Sequence, residues 1–298
     1  MSLEGQVAIV TGAGRGIGRA IACALAQAGA AVVVNDLDAR PAEEVCDEIR
    51  ESGGKATAIA AEIGAEGAAE ACVAGALETF GRLDVLVANA GVLRDSVLWK
   101  TSDADFDLVV RTHLRGTFQC GRAAARHFRE AGHGGALVLV GSPAGQLGNF
   151  GQTAYAAAKA GIAAMARTWA AELARSEVAV NAIIPTALTR MTETVPPLAP
   201  YVEALERGEA LPHHLRADLG VGTPEDITPL VLYLASASGR AVTGQCIGIG
   251  GDRLSLWSHP AELRARTSDG GWTADAIADA WDELAEGALQ PFGMKLDL

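Results

Sequence analysis

Tyr155 and Lys159 stand four residues apart in Tyr155-Ala156-Ala157-Ala158-Lys159, within an Ala-rich run over 152–176 that reads as a helix. Four positions are about one helical turn, so a phenol and an ammonium share one face. A free tyrosine titrates near pH ~10 and is a poor base at neutrality. A cation held beside it favours the phenolate and brings it toward the range of an acid–base catalyst. Ser142, thirteen positions before the tyrosine at the end of an apolar run over 137–140, carries a hydroxyl that can hydrogen-bond a reacting oxygen. Such Tyr/Lys pairs also arise by chance on surface helices, so the elements around them have to supply the context.

That context starts with Val7-Ala8-Ile9-Val10, short, apolar and β-branched, which reads as a buried strand. It runs into Thr11-Gly12-Ala13-Gly14-Arg15-Gly16-Ile17-Gly18 and then into a helical stretch over 19–29. Glycines there let the backbone turn tightly against a pyrophosphate seated on the helix N-terminus. The spacing Gly12-x-x-x-Gly16-x-Gly18 is one residue longer than the common dinucleotide fingerprint. A second strand over 31–35 ends at Asp36, eighteen residues past Gly18, where a carboxylate can accept both ribose hydroxyls of an adenosine. It would repel a 2′-phosphate, so NAD is expected over NADP, with Arg15 as the counterweight. Glu62 and Ile63, just after a third strand over 57–60, join the candidate cofactor contacts.

Strand and helix patterns alternate along the chain, which implies a parallel sheet covered on both faces. Further strands read over 85–88, 137–140, 178–184 and 245–249, making seven. Helices read over about 40–51, 67–80, 103–129, 153–175 and 224–235, the last opened by Thr223-Pro224-Glu225-Asp226. The expectation is an α/β, Rossmann-type, doubly wound parallel seven-stranded sheet in one catalytic domain over 1–252. Two stretches interrupt the alternation. Residues 187–222 hold Pro196, Pro197, Pro200 and Pro212 with one short helix near 201–207, and read as a substrate lid. Residues 253–298 form a C-terminal extension with Trp257, Trp272 and Trp281. Thr273 caps a helix there over 274–285, whose stripe of Ile277, Trp281 and Leu284 reads as packed on this subunit or on a neighbour.

The glycine loop, Asn89-Ala90-Gly91, Ser142 and Tyr155/Lys159 fall in the order and spacing of the short-chain dehydrogenase/reductase family, which the chain resembles over about 5–251, closest to its classical branch. The resemblance implies hydride transfer between nicotinamide and a secondary alcohol or ketone. Tyr155 would move the proton, Ser142 would hold the oxygen, and Lys159 would bind the nicotinamide ribose and lower the tyrosine pKa. It also implies that Asn89, Ala90 and Gly91 support the sheet beside the cofactor. Pro185 would end the strand leading to the nicotinamide-side loop, and Thr189 would bind the carboxamide. Two residues depart from the family pattern: His113 stands where an Asn normally holds a relay water, and Thr186 follows Pro185 where Gly is usual. His113, Gly148-Asn149-Phe150-Gly151-Gln152 and Arg190-Met191-Thr192 are similar to the (3R)-hydroxyacyl-CoA dehydrogenase units of multifunctional enzyme type 2 and to bacterial relatives, some acting on hydroxysteroids. The long 187–222 stretch instead favours a bulky secondary-metabolite alcohol. A sugar-nucleotide epimerase would need a larger C-terminal domain, and a non-catalytic NAD-binding regulator would be expected to have lost Tyr, Lys or Ser.

A net charge of −12 over 298 residues argues against nucleic acid as a partner. Apolar leaders and membrane-length runs are not seen, so the membrane is not expected as a partner and the location expected is the cytoplasm. Lys295-Leu296-Asp297-Leu298 is not a peroxisomal address. Cys23, Cys46, Cys72, Cys120 and Cys246 lack metal or disulfide spacing and read as buried thiols, His213-His214 reads as solvated, and no metal is expected. The family resemblance implies a homodimer or homotetramer.

Overall fold

The computed structural model describes residues 1–189, 192 and 197–294. The expectations that fell on Arg190, Met191, Pro196 and 295–298 lie outside the described residues.

The strands are β1 (Val7–Val10), β2 (Ala31–Asp36), β3 (Lys55–Ala60), β4 (Val85–Ala88), β5 (Gly135–Val140), β6 (Val178–Pro185), β7 (Cys246–Gly250) and β8 (Arg253–Trp257). The helices are α1 (Gly16–Gln27), α2 (Ala39–Glu51), α3 (Ala68–Phe80), α4 (Asp103–Val110), α5 (Gly116–Ala131), α6 (Pro143–Leu147), α7 (Thr153–Leu173), α8 (Ala199–Glu206), α9 (Thr228–Ala235) and α10 (Ala274–Ala285). The strands form one sheet in the order β3-β2-β1-β4-β5-β6-β7-β8, parallel through β7. Strands such as Val-Ala-Ile-Val are apolar throughout rather than alternating because both faces are covered. Ile21, Leu25, Val45, Ile49, Leu230 and Leu234 pack one face from α1, α2 and α9. Cys72, Cys120, Ala123, Phe128, Ile162 and Ala166 pack the other from α3, α5 and α7. Burial pushes the thiols up, Cys46 to about 11 and Cys72 to about 12, as expected of unreactive core residues. Among the described residues, no helix is long and apolar enough to cross a membrane.

The sheet has eight strands where seven were expected. Gly251, at φ 51°, reverses the chain, and β8 returns antiparallel along β7. Gly248 makes room for it, since a Cβ there would stand 2.3 Å from Ser255 Oγ. The C-terminal extension therefore begins as an edge strand of the sheet itself. The helix expected over 103–129 is interrupted by a π turn, Arg111–Arg115, between α4 and α5. On α10 the Thr273 hydroxyl accepts from Ala276 N at 3.1 Å as expected, but no residue of that helix is buried and Ile277 and Trp281 are half exposed.

The 187–222 insert has a core of its own. Leu188, Leu198, Val202, Leu211, Leu215 and Val221 pack together apart from both sheet faces. The insert was expected to close over a substrate; Leu188, Leu198 and Leu211, part of the apolar surface that reading relied on, are used to hold the insert together. Its base is a parallel bridge between Ala187 and Gly222. Arg216 ties it to the body, bidentate to Asp226 at 2.9 and 3.1 Å and to Asp252 at 2.8 Å.

Candidate active site

The site lies at the carboxyl ends of the parallel strands, around the crevice where the order turns from β1 to β4, the usual place for a ligand in such sheets. Its cofactor side is built from backbone. α1 starts at Gly16, three residues earlier than the sequence pattern indicated, with no capping side chain and no acid in its first turn. Its leading N–H groups are thus available to an anion. A Cβ on Gly12 would stand 2.8 Å from Ala90 Cα, and one on Gly18 would stand 2.2 Å from Gly12 O. Asn89 Nδ2 donates to Thr11 O and Gly12 O at 2.9 and 3.1 Å, while Thr11 Oγ1 accepts from both Asn89 N and Ala90 N at 3.0 Å. Thr11, unremarked in the motif, is the pin between the loop and β4.

Asp36 ends β2 beside this loop, nearly buried, and its Oδ2 accepts from Gly14 N at 2.9 Å. A Cβ on Gly14 would fall 2.7 Å from that oxygen. Arg15 forms an exposed ion pair with Asp38 at 3.2 Å, a partner the sequence reading did not assign. Ile17 packs on the core of the α1 face, and Pro185 ends β6. Thr189 lies over the glycine loop, its Cγ2 3.9 Å from where a Gly16 Cβ would be, with its N–H bonded to Thr192 Oγ1 at 2.8 Å. Ile63 is buried, whereas Glu62 pairs with Arg111 at 2.8 Å on the surface. These residues fit a dinucleotide: an uncapped helix start for the pyrophosphate and a carboxylate for the ribose.

Ser142, Tyr155, Lys159 and His113 are brought together from three elements. Ser142 caps α6, its Oγ accepting from Ala144 N at 3.2 Å. Tyr155 and Lys159 lie one turn apart on α7, and Gly145 lets α6 approach, since a Cβ there would stand 2.6 Å from the Lys159 carbonyl carbon. Burial pushes the Tyr155 phenol up, a hydrogen bond with Ser142 pulls it down, and the Asp95 charge raises it. The expectation that Lys159 supplies the lowering is not met here. Its Nζ donates to Val140 O at 2.6 Å and lies 5.5 Å from the Tyr155 ring centroid. Burial brings this amine down to about 7, so near neutral pH it is not fully charged.

His113 sits in the π turn, almost completely buried, with its ring edge-on to Tyr155 at 5.1 Å. Nε2 meets the Val92 backbone, 2.8 Å from its O and 3.0 Å from its N, and Nδ1 is buried without a partner among the described residues. Gly91 is needed for this fit, because a Cβ there would stand 2.3 Å from His113 Cε1. A free histidine titrates near pH ~6.5. Burial and then the Lys159 charge push His113 down to about 3, against a smaller opposing hydrogen bond with Val92, so the ring is neutral in the working range. Gln152 was noted only as part of a motif, and its Nε2 holds Asp95 Oδ2 at 2.9 Å beside Tyr155.

The family model described as short chain dehydrogenase matches residues 6–198. The chain is 38% identical over 296 residues to the peroxisomal multifunctional enzyme type 2 of Mus musculus, covering 96% of this chain and 37% of that protein. It thus spans little more than a third of that relative's length. It is 40% identical over 280 residues to the hydroxyacyl-CoA dehydrogenase ChsB1 of Mycobacterium tuberculosis (strain ATCC 25618 / H37Rv), covering 90% of this chain and 84% of that protein. Among solved structures, a short chain dehydrogenase from Mycobacterium avium superimposes with a TM-score of 0.85 at 36% identity, covering 99% of both chains. With the glycine loop, Asn89, Ser142, Tyr155 and Lys159 assembled in one crevice, the chain belongs to the short chain dehydrogenase family of oxidoreductases.

Proposed function

We propose that this chain is an NAD-dependent dehydrogenase of a secondary alcohol, with a 3-hydroxyacyl thioester of CoA as the substrate class. The observation that carries the reaction is the convergence of Ser142 and His113 on the Tyr155 phenol. The nicotinamide, when bound, supplies the hydride acceptor. Tyr155 takes the hydroxyl proton of the alcohol, and Ser142 holds the same oxygen. Lys159 binds the nicotinamide ribose and, when charged, favours the phenolate. In the tautomer that carries its proton on Nε2, toward Val92 O, His113 keeps a lone pair on Nδ1 to accept a hydrogen bond in the proton path. NAD is favoured because Asp36, at the end of β2 beside the glycine loop, would repel a 2′-phosphate, while Arg15 is paired with Asp38.

The thioester is supported by the relative named a hydroxyacyl-CoA dehydrogenase. A bulky apolar alcohol without CoA is the second reading. It is favoured by the described part of the insert, whose Arg207 and Arg216 are both committed to carboxylates and leave no clamp there for CoA phosphates. Location in the cytoplasm and assembly as a homodimer or homotetramer belong to the same proposal. NADH formation followed by absorbance, with hydroxyacyl-CoA, steroid and cyclic alcohols and either cofactor, tests it. Turnover of at least one secondary alcohol with NAD is expected. No turnover of any, or equal efficiency with NADP, removes the corresponding part.

A further inference from the structure

We propose that Asp95 is a positioning residue that acts through Tyr155: Gln152 holds its carboxylate at the head of α7, where its charge favours the phenol over the phenolate. This rests on the alcohol dehydrogenase reading above. The loop after β4 touches each part of the site in turn. Asn89 N and Ala90 N donate to Thr11 Oγ1 of the glycine loop, Val92 N meets His113 Nε2 at 3.0 Å, and Ser96 N donates to Gly151 O at 2.8 Å. Asp95 stands between the last two. Gln152 Nε2 donates to its Oδ2 at 2.9 Å, while Asn149 Nδ2 donates to Gln152 Oε1 at 2.9 Å. Asn149 thereby turns the N–H end of the amide toward the acid, which as a carboxylate can only accept. Gln152 caps α7 and its carbonyl accepts from Ala156 N at 2.7 Å, so the clamp sits within the turn that leads to Tyr155.

Two observations separate a role for the charge from a mere fastening of loops. The main chain already joins these loops, through Ser96 N and a parallel bridge between Ser96 and Gln152. What the side-chain bond adds is the placement of an acid. The second observation is the company of that acid. Arg94, its neighbour in the chain, turns instead to Asp105 at 3.5 Å and to Leu93 O at 2.7 Å. Among the described residues no cation pairs with Asp95, and its partner is a neutral amide that leaves the charge uncancelled. Around the phenol, His113 of the π turn is neutral, Lys159 of α7 titrates at about 7, and Ser142 of α6 brings a hydroxyl. Burial raises the phenol, the Ser142 hydrogen bond lowers it, and the Asp95 charge adds to the burial. A like charge disfavours the phenolate, so Asp95 delays the loss of the proton as pH rises.

The chain has three tyrosines, Tyr155, Tyr201 and Tyr233, so their Cζ signals can be followed singly by NMR in isotopically labelled protein, with Tyr155→Phe giving the assignment. Each signal is titrated with pH in the parent, Asp95→Asn, Asp95→Glu and Gln152→Ala. The Tyr155 titration is expected to move to lower pH in Asp95→Asn, to move less in the same direction in Gln152→Ala, and to stay as in the parent in Asp95→Glu. Tyr201 and Tyr233 should not change, which controls for the fold. In alcohol oxidation with NAD, the rising limb of kcat/KM should follow, the rate at its foot gaining about threefold as a fraction of the plateau in Asp95→Asn. A Tyr155 signal that titrates alike in the parent and Asp95→Asn, or stays un-ionised in both up to unfolding, overturns the proposal. So does an equal displacement in Asp95→Asn and Asp95→Glu, which would assign the effect to the lost fit rather than to the charge. An unmoved signal in Gln152→Ala removes the part given to Gln152, and a limb that stays while the signal moves removes the part in catalysis. Because the phenol is read without turnover, a chain whose Tyr155 responds to Asp95 but which oxidises no alcohol leaves this coupling standing and removes the proposed reaction.

Discussion

The two sides of the crevice are built on opposite principles. On the cofactor side, the places where Cβ atoms of Gly12, Gly14 and Gly18 would stand are already occupied by Ala90, Asp36 and Gly12 O, and Asn89 and Thr11 fasten the loop to β4. On the substrate side, the described part of the insert holds together through a six-residue core and joins the body through contacts that include Arg216 with Asp226 and Asp252, and Arg253 with Asp218 O, while the rim leaves Trp99, Phe150 and Phe292 uncovered. The first region is tightly constrained, because a Cβ added at Gly12 or Gly18 meets backbone and one at Gly14 meets Asp36. The second has its own small core, so its stability is expected to be set apart from that of the sheet. Chemistry common to many substrates belongs in the first, and selection among them belongs in the second.

The largest effect that would break this division is at Tyr155. Tyr155→Phe removes a hydroxyl and little else, so turnover should fall by about a thousandfold or more. NAD affinity, measured by NADH fluorescence, should stay nearly unchanged. Activity within about tenfold of the parent would take Tyr155 out of the proton transfer.

A paired experiment sharpens the contrast between the two sides. In Gly18→Ala the new methyl would stand 2.2 Å from Gly12 O and 2.5 Å from Asn89 Nδ2. The loop must shift, and NAD affinity should drop by about tenfold or more. Leu215 is fully buried in the insert core. Leu215→Ala should cost about 2–5 kcal/mol locally. That loss should appear as faster amide exchange over 197–222 and a higher substrate KM, with NAD affinity and the main unfolding transition preserved. A main transition lowered by the full amount would show that the insert unfolds with the sheet rather than apart from it.

A smaller change is expected at the ribose end. Asp36→Ala removes the carboxylate that would repel a 2′-phosphate and should narrow the preference for NAD by about tenfold, measured as the ratio of kcat/KM for the two cofactors. An unaltered ratio would transfer the discrimination to Arg15 and Asp38.

The smallest effect concerns pH. His113 has an ordinary value of 6.5 and is held down at about 3 in the folded chain. Between those values the unfolded chain takes up a proton that the folded chain refuses. Stability is therefore complete above the upper value and declines as pH falls below it, by up to about 1.4 kcal/mol per unit. His113→Asn should remove this slope in urea unfolding at a series of pH values. It should leave the shape of the pH–rate profile between about pH 6 and 8 as it was. A profile that changes there would show that the imidazole titrates during turnover.

The cofactor side was legible in the chain because its determinants are local. A strand, a glycine loop and a helix follow one another without a break, and Asp36 comes at the end of the next strand. The Tyr155/Lys159 pair was legible for the same reason, since helical periodicity alone puts both on one face. The extra edge strand was readable in the alternation of Arg253-Leu254-Ser255-Leu256-Trp257, but three tryptophans drew the whole extension into one reading.

What the sequence determined by itself is the order of the strands and helices, the two apolar faces and the residue types at the site. Tertiary structure decided their electrical state and their company. Lys159 reads as a cation in any sequence, yet burial against Val140 O leaves it titrating at about 7. A histidine in water titrates near neutrality, yet the burial of His113 and the Lys159 charge hold it unprotonated. The insert reads as a substrate lid, yet its buried leucines pack on one another. Solvation, and contacts between residues distant in the chain, depend on which elements converge, and no local pattern of residues carries that information.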